Sequence, residues 1–262
     1  MSTIEAIVLG ILQGLTEFLP VSSSGHLVLA QDLMGVKAPG IAFEIMVHAA
    51  TVMSTIVVFR KEIWLLLSGL FKFKYNSETA YLLKIALSMI PILIIGVLFK
   101  DNVEALFGSG RVIVGSFLLL TALLLVLSQY LKSREKDLKY GDALLIGLAQ
   151  ACAVIPGLSR SGTTISVGLM LGVKKDEVAK FSFLMVLVPI LGEAFLQLIS
   201  GEFSVGSTGI AAIPLICGFL AAFLSGLFAC KVMIALVKRA KLTGFAIYCL
   251  IIGLISIFSV IF

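Results

Sequence analysis

The sequence predicts an all-α polytopic membrane protein of six transmembrane helices plus two re-entrant broken-helix segments, arranged as an inverted-topology repeat. Three observations predict it. Of 262 residues, 60% are hydrophobic and 13% charged, with mean hydropathy +1.13, well outside the range of soluble globular domains. Six apolar runs are each long enough to cross a bilayer core about 30 Å thick, which takes about 20 helical residues. Two further apolar segments are interrupted by proline, glycine and serine, and these two match each other along their length.

In chain order, residues 2–35 form the first interrupted segment, broken at Pro20 and Ser22-Ser23-Ser24-Gly25. Spans at 40–60, 80–99 and 112–131 complete a first repeat, 1–135. The second interrupted segment, 141–172, is broken at Pro156-Gly157 and Ser159-Arg160-Ser161-Gly162. Spans at 178–199, 210–236 and 244–262 complete a second repeat, 136–262, within one membrane domain, 1–262. The first five residues carry Glu5 in place of a basic n-region, so no removable signal peptide is expected. Cys152, Cys217, Cys230 and Cys249 lie in apolar stretches without metal-ligand spacing and read as small packing residues. The net charge of +5 sits in short loops between apolar runs, with no aromatic interleaving, so no nucleic-acid partner is expected.

The two interrupted segments match at a constant offset of 137 residues: Glu5 with Asp142, Gly10 with Gly147, Gln13 with Gln150, Ser22 with Ser159, Ser24 with Ser161, Gly25 with Gly162, Gly35 with Gly172. Shared polar residues in an apolar chain point to duplication. Basic residues decide whether these segments cross. If both turn back, one side holds thirteen (Arg60, Lys61, Lys72, Lys74, Lys132, Arg134, Lys136, Lys139, Lys174, Lys175, Lys238, Arg239, Lys241) against Lys37, Lys100 and Arg111 on the other. That is a strong positive-inside bias; if both span, the split becomes eight against eight. Three spans then separate the segments, so they dip in from opposite sides and their tips meet near the midplane.

Irregular backbone at membrane depth is tolerated where it lines a polar cavity, so facing breaks imply a site. Ser22, Ser23 and Ser24 open one half-helix, and Ser159, Arg160, Ser161, Gly162, Thr163 and Thr164 open the other. Helix N-termini, hydroxyls and a guanidinium all favour an anion. The halves differ: Arg160 stands opposite Ser23, while Glu17 and His26 stand opposite Val154 and Thr163. One half supplies a cation, the other a carboxylate and an imidazole suited to metal binding or proton transfer. Gln13 shares a helix face with Glu17. A buried structural Glu17–Arg160 pair is the plainer alternative. Glu44 and His48, four apart on the first full span, are open to cavity lining or to an interhelical contact; Glu193 has no evident partner, and Lys84 and Lys231 snorkel near helix ends.

The run Gln13-Gly14-Leu15-Thr16-Glu17-Phe18-Leu19-Pro20-Val21-Ser22-Ser23-Ser24-Gly25-His26 and the run Pro156-Gly157-Leu158-Ser159-Arg160-Ser161-Gly162-Thr163-Thr164 closely resemble the two signatures of the undecaprenyl-diphosphatase family, also called bacitracin-resistance proteins. The resemblance covers the whole chain. It implies a bacterial plasma-membrane enzyme whose site opens outward and which hydrolyses undecaprenyl diphosphate, recycling the lipid carrier of cell-wall synthesis. It carries the family's (E/Q)xxxE pattern onto Gln13 and Glu17, its essential histidine onto His26, its serine onto Ser23, and its PGxSRSxxT motif onto 156–164. A divalent cation, Mg2+ or Ca2+, is implied too; with Gln13 neutral, Glu17 is the only motif carboxylate, so the ion would lean on diphosphate oxygens.

The expected mechanism has Arg160, Ser159, Ser161 and the two helix N-termini, with Gln13, Ser22, Ser24, Gly162, Thr163 and Thr164, holding the diphosphate. Glu17 binds metal or acts as base, His26 transfers a proton, and either Ser23 or water attacks. The prenyl tail lies among the spans in contact with membrane lipids, and a homo-oligomer is left open. The alternative from another class is a transporter or flippase of a polyprenyl phosphate lipid, since inverted repeats of broken helices also build transporters.

Overall fold

In the computed structural model, residues 1–36, 41–99, 110–130, 135–200, 210–239 and 242–260 are described, with the side chains of 41–42, 193–194, 197–198, 200 and 238–239 outside that description. Lys37, Lys100, Lys132, Arg134 and Lys241, used in the basic-residue count, fall outside the described residues, as does the side chain of Glu193.

The described residues form helices α1 (Thr3–Phe18), α2 (Ser23–Leu33), α3 (Ile41–Val58), α4 (Arg60–Leu70), α5 (Ser77–Leu98), α6 (Gly110–Tyr130), α7 (Tyr140–Cys152), α8 (Arg160–Met170), α9 (Lys175–Met185), α10 (Leu187–Ser200), α11 (Ala212–Arg239) and α12 (Thr243–Phe258). Helices α5, α6 and α11 are each long and apolar enough to cross a membrane, with mean hydropathy of 2.2 to 2.3, and α3 with α4 makes a bent fourth candidate. Their outer faces leave residues such as Leu93, Val97, Leu224 and Phe228 exposed. Apolar surface on this scale needs lipid as its solvent, so the chain is a multi-pass membrane protein.

Both interrupted segments fold by the same local rules. Helix α1 starts with a capping box in which Ser2 and Glu5 satisfy each other's backbone amides, and α7 starts with Asp142 accepting from the Lys139 amide at 3.0 Å. Helix α1 stops at Phe18 because Leu19, before Pro20, is held extended. Helices α2 and α8 begin on serine N-caps: Ser22 Oγ accepts from the Gly25 amide at 3.3 Å and Ser159 Oγ from the Gly162 amide at 3.1 Å. Both end in a Schellman motif, with Gly35 at φ 64° and Gly172 at φ 82°. There the Gly35 and Val36 amides bond Asp32 and Gln31 carbonyls, and the Gly172 and Val173 amides bond Leu169 and Gly168 carbonyls.

Packing crosses between the two halves. Helix α1 lies on α11, and α7 lies on α5. Each pair closes on a glycine: a Cβ at Gly10 would stand 2.3 Å from the Gly218 carbonyl oxygen, and one at Gly147 would stand 2.4 Å from that of Ser88. Helices α6 and α12 meet through Gly115 and Gly253, each closest to the other's carbonyl. The larger core cluster fills the middle with Leu118, Leu125, Ile146, Ile165, Phe181 and Met185, all fully buried.

Two spans differ from expectation. The run at 178–199 is two helices, α9 and α10, meeting at Val186, because Pro189 has no amide to offer the Met185 carbonyl and its ring crowds that turn. The span at 40–60 ends at Val58, and what reads as its following loop holds α4, bent by 76° from α3 and packed on α5. Lys84 reaches the loop before α7, its ammonium donating to the Leu138 carbonyl at 2.6 Å.

Candidate active site

The two breaks meet. Ser161 Oγ, in the first turn of α8, donates to the Leu19 carbonyl at the end of α1, at 3.1 Å. The second tip is held from outside by Thr121 of α6, whose hydroxyl accepts from the Ser159 amide at 3.0 Å and donates to the Gly157 carbonyl at 3.1 Å. Thr121 escapes sequence reading, since nothing in an apolar helix marks one threonine as the clamp of a loop 38 residues away.

Between the tips lies a small cavity lined by Glu17, Ser22, Ser23, Ser24, His48, Ala153, Leu158, Ser159 and Arg160. A second shares Glu17 and Arg160 with it and runs past Thr51, Thr55, Ser161 and Ser182 to the apolar Phe18, Val52, Phe183, Val186 and Ile190. A carboxylate and a guanidinium therefore sit where a polar chamber joins a mostly apolar one.

Glu17, in the last turn of α1, has three partners. Gln13 Nε2 donates to its Oε2 at 2.8 Å, Ser23 Oγ donates to the same oxygen at 2.5 Å, and His48 Nε2 stands 3.6 Å from it. Ser23 is the first residue of α2, so the turn 19–22 is what returns its hydroxyl to the carboxylate left behind on α1. A serine hydroxyl on a carboxylate has the geometry of a nucleophile beside a base. Arg160, the first residue of α8, lies within electrostatic reach of Glu17.

The remaining sequence candidates divide. Ser22 and Ser24 line the polar cavity, their hydroxyls 3.4 Å apart, and Ser159 and Ser161 repeat that spacing at 3.4 Å. Gly162 spends its amide on the Ser159 cap. Thr164 turns away to Ser182, at 2.5 Å, and the Thr163 hydroxyl is buried without a partner, so neither threonine lines the polar cavity. His26 is buried beside the tip instead of facing this cavity: Nδ1 donates to the Ser22 carbonyl at 2.8 Å, Nε2 pairs with the Tyr248 hydroxyl at 2.8 Å, and the two rings stack with centroids 5.5 Å apart. Tyr248 also lay beyond sequence reading, being 222 residues from its partner.

The donors present bear on a metal. Glu17 is the one acidic side chain of the polar cavity, and among the described residues no three His, Cys, Asp or Glu side chains gather to hold an ion alone. Gln13 Oε1, however, is buried without a hydrogen-bond partner beside that carboxylate, an oxygen suited to a hard cation. Glu17 and Gln13 fit a divalent ion that takes its remaining oxygens from a bound phosphate.

Fold and site together define a membrane protein with a polar chamber that contains a serine, a carboxylate and an arginine. The chain belongs to the bacitracin resistance protein BacA family, whose model matches residues 6–255. It is 58% identical over 264 residues, 99% of each chain, to the undecaprenyl-diphosphatase of Bacteroides thetaiotaomicron. It is 57% identical to that of Parabacteroides distasonis over 98% of each chain. With that of Carboxydothermus hydrogenoformans it shares 42% identity over 97% of this chain and 95% of the other.

Proposed function

We infer that this protein hydrolyses undecaprenyl diphosphate to undecaprenyl phosphate and inorganic phosphate, recycling the lipid carrier of peptidoglycan synthesis and conferring bacitracin resistance. The observation that carries the site assignment is the Ser23 hydroxyl on the Glu17 carboxylate at 2.5 Å, in a chamber shared with Arg160. The diphosphate lies against Arg160, the Ser22, Ser24, Ser159 and Ser161 hydroxyls and the N-termini of α2 and α8. Ser23 Oγ attacks the terminal phosphorus, its proton passes to Glu17, and the bridging P–O bond breaks to release undecaprenyl phosphate. Water then cleaves the phosphoserine and frees inorganic phosphate. Arg160 balances the charge that builds on the transferring phosphoryl group. When bound, Mg2+ or Ca2+ at Glu17 and Gln13 supplies further charge neutralisation. His26 holds the Ser22 turn, and its route for a proton runs through the Tyr248 hydroxyl. The apolar chamber receives the first units of the prenyl tail.

The membrane arrangement belongs to the same proposal: six spans, with α1–α2 and α7–α8 re-entrant and of inverted topology, in the plasma membrane, the site opening outward. The matched caps 137 residues apart, the exchange of α1 onto α11 and α7 onto α5, and the thirteen-to-three split of loop basic residues that this arrangement gives support it. Lipid movement without hydrolysis is not favoured, because it leaves a serine on a carboxylate without a purpose.

The test is phosphate release from undecaprenyl diphosphate by purified protein in detergent with Mg2+ or Ca2+, wild type against Ser23→Ala. Release by wild type, lost by about 100-fold or more in the folded variant, is expected. Full activity in Ser23→Ala would move the attack to water. No release from folded wild type with either ion would sink the hydrolase and favour lipid transport.

A further inference from the structure

The two histidines near the tips are not equivalent. His26 spends both ring nitrogens, on the Ser22 carbonyl and the Tyr248 hydroxyl. His48, on α3, spends one: Nδ1 donates to the Glu44 carbonyl at 2.8 Å. A carbonyl only accepts, so that bond keeps a proton on Nδ1 and fixes the ring plane. Nε2 is thereby turned toward Glu17 Oε2, 3.6 Å away, and the ring lines the polar cavity with Ser22, Ser23, Ser24, Ser159 and Arg160.

The contacts of Glu17 are lopsided in the same sense. Gln13, Ser23 and His48 all meet Oε2, and among the described residues no hydrogen bond reaches Oε1. One oxygen is anchored and the other is open.

We propose that His48 is a positioning residue for the hydrolysis. With protons on both ring nitrogens, it pairs with Glu17 Oε2 as an imidazolium, holds the carboxylate in the rotation that keeps Oε2 on the Ser23 hydroxyl, and leaves Oε1 open. This rests on the reading of Glu17 as the base for Ser23. A carboxylate free to rotate loses the serine for part of the time, which costs turnover more than substrate binding, since the phosphate is held chiefly by Arg160 and the serines.

The test measures kcat and KM for phosphate release by the full chain in detergent, with thermal unfolding of each variant alongside. His48→Ala lowers kcat about 10- to 100-fold with KM changed about twofold at most. His48→Gln, whose amide reaches the same oxygen, restores kcat to within about threefold of wild type, and the shorter His48→Asn does not. In a Glu17→Gln background, His48→Ala adds no further loss. Wild-type kcat in His48→Ala, equal loss in His48→Gln and His48→Asn, or an additive loss in the double variant would overturn the proposal. Should His48→Ala fail to fold, the Gln and Asn pair decides. Wild-type turnover in Glu17→Gln sinks the underlying reading, whereas an inactive Glu17→Gln beside a fully active His48→Ala sinks only this one.

Discussion

The first tip, Leu19–His26, and the second, Ala153–Thr163, are built alike and equipped differently. Each opens its half-helix on a serine cap, spaces two hydroxyls 3.4 Å apart, and closes the half-helix on a left-handed glycine. What differs lies beyond the backbone's needs. Where the first half has Glu17, Ser23 and His26, the second has Val154, Arg160 and Thr163. Gln13 and Gln150 make the point most sharply. Gln13 donates to Glu17, whereas Gln150, with Val154 in place of that carboxylate, has both side-chain polar atoms buried without a partner. On the proposed mechanism the two tips divide the labour, with base and nucleophile on one and phosphate charge balance on the other.

The division is broken most severely by making the tips the same. Arg160→Ser gives the second tip the residue of the first, and phosphate release should fall about 100- to 1000-fold with the fold intact. A variant within tenfold of wild type would leave the second tip as scaffold only.

The shared packing is tested next. Gly10→Ala and Gly147→Ala place a methyl against the Gly218 and Ser88 carbonyls, and each should destabilise by about 1 to 3 kcal/mol in reversible unfolding in detergent. Gly96→Ala, whose Cβ meets nothing within 4 Å, should be neutral or stabilising by up to about 1 kcal/mol. Equal tolerance at all three positions would remove the close helix approach.

Gln150→Leu sharpens the contrast between glutamines. Replacing an unpartnered buried amide with an apolar side chain should stabilise by about 1 kcal/mol and leave turnover unchanged, while Gln13→Leu should cost activity. Loss of activity in Gln150→Leu would show that the second tip uses its glutamine.

The smallest effect is expected at the loops. Lys174 donates to Asp137 at 2.5 Å and holds that carboxyl below its usual range. A depressed carboxyl stabilises above its unfolded pKa and loses that contribution as pH falls through its folded value, so thermal stability should soften slightly below about pH 4. Asp137→Asn should flatten that part of the profile; an unchanged profile would assign the softening to other carboxylates.

What could be read from the sequence follows from how local each cause is. Caps, Schellman glycines and the prolines that stop α1 and split 178–199 act over a few residues, so Ser22, Ser159, Gly35, Gly172, Pro20 and Pro189 carry their signals openly, although in the 178–199 run hydropathy masks the proline. The set Gln13, Glu17, Ser23 and Arg160 was also legible, from motif and repeat together. Thr121, Tyr248 and the orientation of His48 were not, because each is defined by a partner on a distant helix, and an apolar helix gives no hint of which polar residue faces which neighbour. Helix α4 was hidden for a related reason: Arg60 and Lys61 read as the end of a span, whereas they open a second helix that packs on the distant α5.

The central claim is that one carboxylate, Glu17, is where the two tips' chemistry meets. Phosphate release from undecaprenyl diphosphate by purified Glu17→Gln, shown to be folded by thermal unfolding, tests it most directly. The amide keeps the side chain's shape and removes its charge and basicity, so release should fall by about 100-fold or more. Release at the wild-type rate would contradict the account.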